Sequence, residues 1–90
     1  MKPPPKHTGE NQLAEALRTT LGHTLKVLRE ERGITLLEAA HWIDTDASAM
    51  RNLELQSKLP SMERLCLLAE LYGVEVSEIL KRAEDAAQPF

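Results

Sequence analysis

From Leu13 onward the apolar residues recur in steps of three and four: Leu13, Leu17, Leu21, Leu25 and Leu28, with Ala14 and Val27 beside them. That spacing lays one apolar stripe along a helix. Gly22 interrupts the stripe, and a glycine inside a helix costs about 1 kcal/mol relative to alanine. The segment is therefore read as a short leader helix from about residue 11, followed by a first helix proper over 20–31, with Gly33 as its stop. The leader either extends the core through Leu13 and Leu17 or forms a dimer contact.

Thr35 and Glu38 have the spacing of a capping box, in which each side chain bonds the other's backbone amide, and they predict a helix over 36–43. Asp44-Thr45-Asp46 breaks that helix, and Asp46 is a suitable N-cap for another over 47–55. Two short helices joined by so brief a turn make a helix-turn-helix. Ser61, after Pro60, caps a helix over 62–72 on the stripe Leu65, Leu68, Ala69 and Tyr72, which Gly73 ends. The last helix runs from Val76 or Glu78 to Glu84 and buries Ile79, with Leu80 as a second candidate. Its Glu78 lies early and its Lys81 and Arg82 late, as the helix dipole favours. No segment alternates as a strand does, and no hairpin dipeptide occurs. The pattern predicts an all-α domain of five helices, or six with the leader, over 11–84. A flexible arm (1–10) precedes it and a frayed tail (85–90) follows.

Ninety residues allow one core, and 42% apolar residues suffice to fill it. Trp42, Tyr72 and Phe90 are the only aromatic residues, so aliphatic side chains must do most of the filling. The single cysteine, Cys66, cannot form an intramolecular disulfide; it suits a reducing cytoplasm and is read as an inert core thiol. No apolar run approaches the roughly 18 residues of a membrane span. The opening MKPPPKHTGE has no apolar stretch after its lysines, unlike a signal peptide. The expectation is a soluble, cytoplasmic protein. Lys2 and Lys6 flank Pro3, Pro4 and Pro5, in an arm that either touches phosphates or is an untethered terminus. His7, His23 and His41 are scattered, and neither a metal-ligand spacing, a phosphate loop nor paired catalytic carboxylates occur. An enzyme, a metal and a cofactor are therefore not expected.

Three segments in order, LGHTLKVLREERGIT, TLLEAAHWIDTDASAMRNLE, and Pro60-Ser61 leading into LCLLAELYGVEVSEIL, resemble the Xre/Cro-type phage-repressor helix-turn-helix family over roughly 21–80. The resemblance implies a compact phage-repressor-like domain with Ala40 at a tight helix contact and Ile43, Met50 and Leu53 in the core. It also implies a structural clamp between Arg29 and Glu54. By the same resemblance the protein is a transcriptional regulator, a repressor, that reads double-stranded DNA as a homodimer with its third helix in the major groove. Carried over residue by residue, the contact positions are Asp46, Ala47, Ser48, Arg51 and Asn52, and the DNA-binding set is read as Ala47, Ser48, Arg51 and Asn52 with Lys58 added on the backbone. Asn52 suits adenine, Arg51 guanine or phosphate, Ala47 a thymine methyl, and Ser48 and Lys58 the backbone.

The chain departs from the family at several contact positions. Leu36 stands where a glutamine usually meets a phosphate, Leu37 where a polar residue is general, and Asp44 and Gln56 where glycine is common. The whole chain carries a net charge of −3. Between Gly33 and Pro60, Arg51 and Lys58 stand against Glu38, Asp44, Asp46 and Glu54, a net of −2. DNA affinity grows with the phosphates neutralised, so a lone copy is expected to bind weakly. Asp46 adds repulsion unless capping absorbs its carboxylate. Leu36, Leu37, Trp42, Leu55 and Leu59 either pack into the core or form an exposed apolar patch for a protein partner. A second reading follows: a protein-interaction module, or an antitoxin-like component, with weak or no DNA binding.

Overall fold

The computed structural model describes residues 12–55 and 58–87, with side chains from Ala14 onward. The expected arm (1–10) and the ends of the chain on either side therefore lie outside the described residues, as does Gln56. Among the described residues there are five helices and no strand: α1 (Gln12–Glu31), α2 (Leu36–Trp42), α3 (Ala47–Leu55), α4 (Met62–Tyr72) and α5 (Val76–Ala87).

The leader and the first helix are one continuous element. Gly22 does not break α1, because it serves packing rather than chain reversal. A Cβ built there would lie 2.6 Å from the Leu53 carbonyl oxygen and 2.7 Å from that of Glu54. Only a residue without a side chain lets α1 come this close to the end of α3. Thr20 Oγ1 donates to the Ala83 carbonyl at 2.8 Å and ties the same helix to α5. Leu17 packs against the core, so this part of the leader extends it; the Leu13 side chain is outside the described ones.

α1 packs chiefly on α5 and α3, and α2 on α3 and α4. Leu25, Leu28, Met50, Leu68 and Ile79 are the largest fully buried side chains. Burial of each contributes about 2 kcal/mol. Ala40, Ile43, Met50 and Leu53 are all buried at the expected positions, and so is the stripe Leu65, Leu68, Ala69 and Tyr72.

Three further expectations need correction. Cys66 is exposed, not a core thiol, because the buried face of α4 is the Leu65, Leu68, Ala69 and Tyr72 stripe and Cys66 falls outside it. Leu80 is also exposed, at 39%; Ala83, a turn after Ile79, takes the second inward position on α5. α5 continues through Asp85–Ala87, past its expected end at Glu84, with Lys81 and Asp85 one turn apart in an ion pair. No helix among the described residues is long and apolar enough to cross a membrane.

Candidate nucleic-acid interface

The two-helix unit is built by local side-chain chemistry. Thr35 Oγ1 accepts from the Glu38 amide at 3.1 Å, and Glu38 Oε1 accepts from the Thr35 amide at 2.9 Å, which closes the capping box and starts α2. Hydrogen bonding to the Glu38 carboxyl from Thr35, from its backbone amide first and its side chain second, lowers that carboxyl's pKa from its usual value. At the turn Asp44 has φ of 58°, a left-handed conformation that glycine adopts freely and that aspartate tolerates better than most residues. Asp46 Oδ1 then accepts from the Ala49 amide at 2.7 Å and caps α3. Its carboxylate is thereby occupied at the helix start.

α3 has a buried face of Met50, Leu53 and Glu54. Ser48, Arg51, Asn52 and Leu55 form the opposite stripe, at the spacings that bring helical side chains onto one face, and all four are exposed. Ala47 is half-buried beside them and Lys58 is exposed after the helix.

The orientation of that stripe is held from behind. Arg29 Nε donates to Glu54 Oε2 at 2.8 Å and its Nη2 to Glu54 Oε1 at 3.1 Å, while Nη1 reaches the Ile34 carbonyl at 2.8 Å. One guanidinium thus joins α1, the loop before α2 and the end of α3. The Glu54 hydrogen bond is the main cause that raises the Arg29 pKa, against an opposing effect of burial. Tyr72 is buried nearby, and its desolvated phenol is pushed well above its ordinary pKa, with the Glu54 charge adding to the effect.

Beside the stripe, α3 and the start of α4 enclose an open cleft of about 290 Å³. Ala49, Asn52 and Leu53 line one wall; Lys58, Leu59 and Pro60 the loop; Ser61 and Arg64 the other side. Ser61 Oγ accepts from the Arg64 amide at 3.1 Å and caps α4 there. Arg51, Lys58 and Arg64 form no ion pair among the described residues. Sequence reasoning missed Arg64, which lies outside the two-helix unit and whose only local signal was its place three residues after the Ser61 cap.

Of the five apolar candidates, Leu36 leaves the surface: it is half-buried and packs against the core. Leu37, Trp42, Leu55 and Leu59 are exposed at 52%, 45%, 55% and 48%. They are spread over α2, α3 and the loop before α4. Leu55 continues the α3 stripe, Leu59 borders the cleft, and Trp42 lies against α4 with its Nε1 donating to the Leu67 carbonyl.

Residues 20–80 match the family model of a helix-turn-helix domain. Among solved structures the chain is similar to the clp gene regulator ClgR from Corynebacterium glutamicum. One crystal structure of that regulator is 30% identical, with a TM-score of 0.74, over 79% of this chain and 76% of that one. Another is 28% identical, with a TM-score of 0.75, over 82% of this chain and 96% of that one. No curated protein matches the chain.

Proposed function

The chain belongs to the helix-turn-helix domain family, in its Xre/Cro-like class, and from that premise we propose that it is a DNA-binding transcription regulator, a repressor, reading the major groove with α3. The observation that carries this reading is the exposed stripe of Ser48, Arg51 and Asn52 on a helix whose rear face is anchored by the Arg29–Glu54 pair. Asn52 pairs with adenine, Arg51 with guanine or a phosphate, and Ala47 offers an apolar contact to a thymine methyl. Ser48 donates to phosphate. Lys58 and Arg64 add backbone contacts from the cleft, and Arg64 offsets part of the acidic charge of the unit itself. Because half-sites lie about one DNA turn apart, the working form is a homodimer in the cytoplasm, and its role is binding rather than catalysis. Similarity to a clp gene regulator supports the regulatory role.

A titration of duplex DNA selected from a random pool, at two salt concentrations, tests the reading. Arg51→Ala and Asn52→Ala should weaken binding, by about 1–3 kcal/mol for a base contact. Absence of binding at low salt, or unchanged affinity in both variants, contradicts it. A second reading, in which the domain also serves as, or has become, a protein-interaction module, rests on the half-exposed Trp42 held against α4.

A further inference from the structure

Trp42, the chain's only tryptophan, lies off the α3 stripe assigned to DNA. Its Nε1 donates to the Leu67 carbonyl at 2.8 Å, so one edge of the indole is pinned on α4 while the residue stays 45% exposed. The charged residues of α2 and α4 are mostly acidic, three carboxylates against one arginine. Glu38 is one turn before Trp42 on α2, and Glu63 and Glu70 are one turn to either side of Leu67 on α4; all three are exposed. Glu63 and Glu70 form no ion pair among the described residues. α2 and α4 together carry a single arginine and no lysine, and that arginine, Arg64, lines the cleft.

An immobilised, half-open indole between unpaired carboxylates fits a segment that combines cations with rigid apolar residues. The chain contains one, Lys2-Pro3-Pro4-Pro5-Lys6, outside the described residues. We propose that this segment of a second copy docks on Trp42, its prolines against the indole and its lysines toward Glu63 and Glu70. The dimensions agree. In polyproline geometry Lys2 and Lys6 are about 12 Å apart, and Glu63 and Glu70 are separated by about 10 Å along α4. Proline-rich segments bind aromatic surfaces in this way because little conformational entropy is left to lose, and a lysine near the ring adds a cation–π attraction.

Reach favours a second copy over the same chain as the source of the segment. The segment joins α1 at its first residue, Gln12, whereas α2 follows the opposite end of α1 after four residues. Those ends are separated by about 30 Å of helix, and residues 7–11 span at most about 18 Å. The contact is independent of DNA binding.

The sole tryptophan supplies the readout. Emission of the full-length protein, without DNA and at low salt, is followed over a dilution series alongside sedimentation. The expected result is a blue-shifted emission that is lost on dilution together with the dimer. The double variants Lys2→Glu/Lys6→Glu and Glu63→Lys/Glu70→Lys should each abolish both signals while keeping the helical circular dichroism, and all four substitutions in one chain should restore them. Emission independent of concentration, reversal variants that dimerise as the wild type does, or a combined variant that stays monomeric would each overturn the proposal.

Discussion

Arg29 and Glu54 meet through two parallel hydrogen bonds, 2.8 and 3.1 Å long, with side-chain exposures of only 11% and 2%. Twenty-five residues apart in the chain, they fasten α1 to the end of the helix that presents Ser48, Arg51 and Asn52. Burying such a pair stabilises little in itself, since both ions lose water. Removing one partner is different, because the other is left as a buried, uncompensated charge.

Arg29→Ala and Glu54→Ala should each lower unfolding stability by about 3–5 kcal/mol. The double variant should cost clearly less than the sum of the two, since neither ion is then stranded. Urea unfolding of the four proteins measures this. Additive losses would mean that the two side chains act independently.

Gly22→Ala sets helix propensity against space. Alanine favours the helical state by about 1 kcal/mol, but the new Cβ would meet two backbone carbonyls at 2.6 and 2.7 Å. Backbone cannot rotate away as a side-chain tip can, and overpacking of this kind costs about 1–3 kcal/mol. The expected outcome is a lower melting temperature, read by circular dichroism. A variant as stable as the wild type would show that α1 and α3 can separate at no cost.

Glu38 should give α2 an acid-sensitive start. Its folded pKa is lowered, so the stabilisation from its hydrogen bond to Thr35 is complete above the ordinary value of 4.5 and disappears as pH falls through the folded value. Carbon-detected NMR titration should place its midpoint below 4.5. Glu38→Gln should remove part of the acid loss of stability. A midpoint at or above the ordinary value contradicts the capping-box account.

Features governed by neighbouring residues were legible in the sequence. Thr35, Asp46 and Ser61 cap the helices they were expected to cap, and Gly33 and Gly73 have the positive φ that helix stops require. Capping is short-range chemistry, so residue type and spacing suffice to place it. Gly22 was misread because the carbonyls it accommodates are more than thirty residues away, and a mid-helix glycine looks the same whether it breaks or packs. Cys66 was misplaced, and Leu36 was left open, for a related reason. A helix rich in apolar residues does not reveal which of them lies at the edge of its buried face. Arg64 escaped notice because the cleft exists only once α4 is folded against α3. The charge of the linear helix-turn-helix segment therefore understated the cations available on its face.

The salt dependence of DNA binding tests that face most directly. Fluorescence anisotropy of a selected duplex is followed across a range of salt concentrations for the wild type, Lys58→Ala and Arg64→Ala. If α3 reads DNA with both cations on phosphates, each substitution should weaken binding to all duplexes alike and reduce the slope of log affinity against log salt by about 1. A slope identical to the wild type in both variants, or no binding by the wild type at low salt, would contradict the account.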